Sequence, residues 1–147
     1  MKSELIRKFY YNYKIVALIP VFAVIIDYSL TFFFAGDTSM ILSWEASPFV
    51  RFALAHDIMA AYLTAIVVFY YVSSCVVLKV LYGTGYYRFG VLLIAILSAT
   101  HVIGGMSWYF RSAFYSDGVF VMSLMSIIIA FVVFGFSLLH ERVPARF

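Results

Sequence analysis

Four apolar runs, each long enough to cross a bilayer and joined by short connections, leave this chain almost no residues for anything else. They fall at roughly 15–35, 48–78, 89–110 and 119–139 of 147 residues. One helical crossing takes about 20 apolar residues, so four of them use up the chain. Charged residues are 12% of the sequence, about half the roughly 25% of a soluble domain. A surface that cannot be covered with charge has to face lipid. The expected fold is therefore all-α: a single membrane domain over residues 1–147, built as a polytopic four-transmembrane-helix bundle with no separate soluble domain.

The basic residues orient that bundle. Lys2, Arg7, Lys8, Lys14, Lys79, Arg88, Arg142 and Arg146 fall on one side of a four-crossing chain, and only Arg51 and Arg111 on the other. Lysine and arginine collect on the cytoplasmic side, which places both termini there and the protein in the cell membrane as a multi-pass species. Three or five crossings would scatter the same charges. Residues 1–14 (MKSELIRKFYYNYK) read as a basic, aromatic interfacial segment facing anionic headgroups. The run that follows holds Asp27 and lacks a small-x-small cleavage site, so it reads as a retained helix rather than a signal peptide.

Several function classes drop out. The net charge of +3 sits at helix ends, which gives nucleic acid no basic surface. One cysteine, Cys75, cannot form an internal disulfide and reads as a small buried apolar residue. There is no phosphate loop, Cys-x-x-Cys pair, Gly-x-Ser-x-Gly elbow or dinucleotide fingerprint. The methionines lean towards the outer half, where core packing explains them better than a soft metal does.

What chemistry remains starts between Asp27 and Asp57. This stretch holds four of the seven acidic residues and one of the three histidines. On the first helix Pro20, Ala23, Asp27 and Thr31 share a face. Residues 36–47 read as an outer loop, and Ser47–Pro48 as an N-cap followed by proline at the first helical position. With the second helix beginning at Pro48, Ala53, Asp57, Ala60 and Thr64 make a small face beside His56. Ser98, His101, Gly105 and Trp108 line the third helix, and Ser123, Ser126, Ala130 and Ser137 the fourth. At ~1.5 Å per residue, Asp27, His56, Asp57 and His101 then share one layer ~10–15 Å below the outer helix ends, with Glu45 above it. His140 reads as interfacial at the inner boundary.

An ionisable group inside a bilayer costs several kcal/mol and pairs or lines a functional cavity. A direct Asp27–His101 pair is the simplest outcome. Three functional outcomes compete with it. Asp27, Glu45, His56, Asp57 and His101 could ligate a divalent metal. His56 and His101 could hold a b-type haem from both sides, with Ala60, Gly104 and Gly105 as its slot. The layer could instead relay protons or bind a small polar ligand.

Asp27–x3–Thr31, Gly36 and Glu45–Ala–Ser–Pro48 resemble a family of uncharacterised small membrane proteins of bacteria and archaea. That family carries Asp–x3–Thr in its first helix and Gly…Glu–x–Asn–Pro before its second; here Ser47 stands in place of the Asn. The resemblance covers about a fifth of the chain and implies only that Asp27 and Glu45 belong together. The expected function is a small subunit of a larger membrane complex, respiratory or redox, with protein partners in the bilayer or further copies of itself. The alternative is a stand-alone protein whose outer-leaflet Asp/Glu/His site binds metal or haem or relays protons. A transporter ranks third, because four helices need to oligomerise to make a two-sided path.

Overall fold

The computed structural model describes residues 2–139, and these are almost wholly helical. Helix α1 (Lys2–Tyr10) and the single turn α2 (Tyr13–Val16) lead through Ala17 into α3 (Leu18–Ala35). Short helices α4 (Thr38–Trp44) and α5 (Pro48–Ala55) follow, then α6 (Met59–Leu81), α7 (Tyr87–Phe110) and α8 (Ala113–Leu139). Four segments are long and apolar enough to span a membrane: Tyr13–Ala35, Met59–Leu81, Tyr87–Phe110 and Ala113–Phe136. The protein is an all-α, multi-pass integral membrane protein. His140, Arg142 and Arg146 lie outside the described residues.

Three boundaries differ from expectation, each for a local reason. The 36–47 segment is not a plain loop. Gly36 ends α3 in the left-handed region (φ +82), and the Asp37 carboxylate then accepts the Met40 N–H at 2.8 Å and nucleates α4. Residues 48–78 are not one helix. Ser47 caps α5 through the Val50 N–H, with Pro48 beginning the helix as expected. But α5 stops at Ala55, where Asp57 turns left-handed (φ 56). The Ile58 N–H then bonds the Ala53 carbonyl (2.9 Å) and the Asp57 N–H the Leu54 carbonyl (3.3 Å). This is the Schellman pattern of a helix C-terminus, with aspartate where glycine is usual. Membrane-spanning α6 thus begins at Met59, and the small face expected from Ala53 to Thr64 is split between two helices. Finally, α8 begins at Ala113 rather than 119, because Arg111 in the left-handed region (φ 47) reverses the chain at once.

Helices α3 and α7 make the most extensive pairing. As first and third crossings they run parallel. Pro20, Ala23 and Thr31 of α3 and Ser98, Thr100 and Gly105 of α7 are buried. Lipid tails are as apolar as leucine, so helices in a membrane associate by close packing and hydrogen bonds rather than by apolar burial. Gly105 provides the closest approach: a Cβ there would fall 2.8 Å from the Asp27 carbonyl oxygen. Helix α6 packs on both members of the pair, and α8 chiefly on α7.

Two apolar clusters close the ends. Val16, Leu78, Leu81, Tyr87 and Ile94 form the inner one, walled by Tyr10, Tyr11, Tyr13 and Tyr86. Ala35, Ile41 and Val50 form the outer one, against Tyr28, Tyr62 and Trp108. The polar layer lies between them.

Arg111 ties the outer ends of the parallel pair together. Its guanidinium donates to the Phe34 carbonyl at 3.0 Å and its Nε to the Trp108 carbonyl at 3.2 Å. A cation at two helix C-termini meets the negative ends of both dipoles. That accounts for one of the two basic residues on the outer side.

Candidate functional site

At the centre of the bundle three side chains from three helices form one hydrogen-bonded series. His101 Nδ1 lies 2.8 Å from Asp27 Oδ2, and His101 Nε2 lies 2.6 Å from the Tyr70 hydroxyl. Asp27 comes from α3, Tyr70 from α6 and His101 from α7. The Tyr70 ring stands edge-on to the imidazole, centroids 5.0 Å apart. Asp27 and His101 are about one-fifth exposed, so the site is sheltered but not sealed.

The geometry follows from the helix packing. Glycine at 105 lets α7 approach the Asp27 backbone, and His101, one turn earlier on the same face, then meets the carboxylate. An ionised Asp27 only accepts, so Nδ1 carries the proton and a neutral ring offers Nε2 to the Tyr70 O–H. If the ring takes a second proton, Nε2–H donates to the phenol oxygen instead. Both contacts survive in either state, and only the hydroxyl proton turns.

The surroundings are graded. On the outer side Tyr28 and Tyr62 join hydroxyl to hydroxyl at 3.0 Å. Glu45 folds back to accept the Ser47 N–H at 2.9 Å. Burial holds the Glu45 carboxyl above its ordinary value, and the nearby Asp27 charge pushes the same way. On the inner side Ser74 and Ser98 are buried one turn beyond Tyr70 and His101. Ser98 donates back to the Ile94 carbonyl, and past them comes the apolar inner cluster.

Of the five residues expected to form the site, four in the layer and Glu45 above it, the structure joins two. Asp27 and His101 pair directly. Glu45 sits above them, within electrostatic reach of Asp27. His56 and Asp57 are exposed at the break before α6. The His56 Nδ1 is 2.9 Å from the Phe52 carbonyl, and its ring stacks on Phe52 at 4.1 Å. His56 therefore belongs to the outer surface, because the Schellman turn moves it out of the spanning helix. Gly105 is filled by the Asp27 backbone, so it offers a haem no slot. Among the described residues no three His, Cys, Asp or Glu side chains are placed to share a metal ion. Tyr70 is the member not foreseen. Its signal was the second nitrogen of His101, which needed a partner from the helix between.

No family model, no curated protein and no solved structure matches this chain.

Proposed function

We propose that this protein is a proton-relaying membrane subunit: protons enter from the outer face past Glu45 and Asp27 and reach His101 and Tyr70 inside the bilayer. The observation that carries this reading is the occupation of both His101 nitrogens in series, by a carboxylate on one side and a phenol on the other. Inward transfer runs through the other tautomer: with Nε2–H donating to the Tyr70 oxygen, Nδ1 takes the proton of a protonated Asp27 while Nε2 passes its own to the phenol, whose hydroxyl proton leaves inward. The apolar inner cluster supports a path that ends in the membrane rather than crossing it. A relay that stops there serves a reaction in the bilayer interior, which favours a subunit over a stand-alone transporter. Helix α8 is held chiefly by α7, and Phe114, Phe120 and Phe131 stand exposed along it, a face open to lipid and to a partner helix alike.

A divalent metal or b-type haem is the competing occupant, and it would have to take His101 Nε2 from Tyr70. An optical spectrum and elemental analysis of protein extracted in mild detergent separate the two. A Soret band or a stoichiometric metal that disappears in His101→Ala overturns the relay. The direct test uses oriented proteoliposomes with ¹⁵N-labelled histidine. His101 protonation should follow the outer pH and ignore the inner pH, and Glu45→Gln should slow the response. Equal response from both sides, or none from the outer side, rejects this function.

A further inference from the structure

The inner end of the bundle carries a cavity that belongs to no part of the relay. It has a volume of about 400 Å³ and is lined by Glu4, Arg7, Lys8, Tyr11 and Tyr82. Small-molecule sites run from ~300 to 1,000 Å³, so it is large enough for a polar headgroup.

Helix α1 forms one wall, and it is fixed rather than trailing. The Tyr87 hydroxyl donates to the Tyr10 carbonyl at 2.7 Å, across 77 residues of sequence. The Tyr11 ring stacks on Tyr87 at 5.7 Å, while Tyr10 meets Tyr87 edge-on at 5.6 Å. Tyr82, at the turn after α6, meets Tyr87 and Tyr13 edge-on. These rings anchor the C-terminal end of the helix that carries Arg7 and Lys8, which line the cavity together with Tyr82. Neither cation has an ion-pair partner among the described residues. Both are exposed, and both lie where charge asymmetry places the cytoplasmic headgroups. Tyrosine at that level keeps its ring in the apolar region and its hydroxyl in the wet one.

We propose that this cavity binds the phosphodiester headgroup of an anionic phospholipid from the inner leaflet. Arg7 and Lys8 pair with the phosphate, Tyr82 flanks the glycerol, and the acyl chains run outward along the bundle. Glu4 stands one turn before Arg7 and Lys8 on the same helix, where its carboxylate disfavours a second anion and suits a headgroup rich in hydroxyls. Free inorganic phosphate presents the same anionic chemistry without the chains.

Native mass spectrometry of the full chain in neutral detergent tests this, with dioctanoyl phosphatidylglycerol, dioctanoyl phosphatidylcholine and inorganic phosphate as probes. One phosphatidylglycerol should be retained in preference to phosphatidylcholine. A cation near a membrane surface contributes about 1 kcal/mol, so Arg7→Gln or Lys8→Gln should weaken retention roughly five-fold, and the double variant roughly 25-fold. Lys79→Gln, an exposed cation of α6 outside the cavity, should change nothing. Equal retention of the two lipids, equal loss in Lys79→Gln, or no loss in the double variant overturns the site. Displacement of the lipid by equimolar inorganic phosphate overturns the lipid assignment. Circular dichroism of each variant confirms that the helices remain.

Discussion

Asp27 and Gly105 touch backbone to backbone. A methyl group at position 105 would lie 2.8 Å from the Asp27 carbonyl oxygen and 2.9 Å from its Cα. Neither atom can turn away, since both belong to a helix. Gly105→Ala should therefore part α3 from α7, at a cost of about 1–3 kcal/mol as overpacking usually does. It should also break the Asp27–His101 contact. Gly104→Ala is the matched control, because its Cβ would meet the Val119 side chain at an ordinary 3.5 Å. Unfolding in mixed detergent, with the His101 ¹⁵N signals as a second readout, should separate the two. Equal behaviour would mean the helices are not as close as described.

The break before α6 rests on Asp57 in the left-handed region. That conformation costs a side-chain-bearing residue roughly 1–2 kcal/mol, and aspartate tolerates it better than most. Asp57→Gly should hold or raise stability. Asp57→Val should lower it by about 1–2 kcal/mol. If valine proves as well tolerated as glycine, α5 and α6 form one continuous helix.

The two carboxylates flanking α4 should give opposite pH dependences. Hydrogen bonds from the Ser39 hydroxyl and the Met40 N–H hold Asp37 below its ordinary value. Its stabilisation is present above that ordinary value and fades as pH falls through the lowered one. Burial, aided by the Asp27 charge, holds Glu45 above its ordinary value. Its contribution is complete below the ordinary value and is lost as pH rises through the raised one. Thermal midpoints measured from acid to neutral pH should show Asp37→Asn flattening the acid limb. Glu45→Gln should flatten the limb above it and raise the neutral midpoint.

The crossings and the Asp27–His101 pair were legible for a shared reason. Lipid punishes unpaired polarity, so long apolar runs and the rare ionisable residues inside them carry most of the information. Ser47 and Pro48 were legible because their capping chemistry is local. The 56–58 break was not, since Ala55-His56-Asp57-Ile58 contains neither glycine nor proline, and the left-handed turn is carried by an aspartate. That one miss propagated. With the second crossing started at Pro48, the polar layer fell on His56 and Asp57. Started at Met59, the layer falls roughly three turns on, at Tyr70. One tyrosine among 12 carries no mark of its own until helix depth is known. Asp37 held a usable signal for α4, as an N-cap ahead of an apolar run, which the turn-forming residues around it obscured.

His101 stands 74 residues after Asp27. At roughly 5–20 residues per second of synthesis, the carboxylate of the first crossing is made on the order of 4–15 s before the imidazole that pairs with it. The order of synthesis thus constrains the order of assembly. The second crossing emerges between them and has to leave the Asp27 face of the first open. The bundle can close only when the third crossing arrives, so a ribosome stalled after α6 would release a chain with an intramembrane acid and no base.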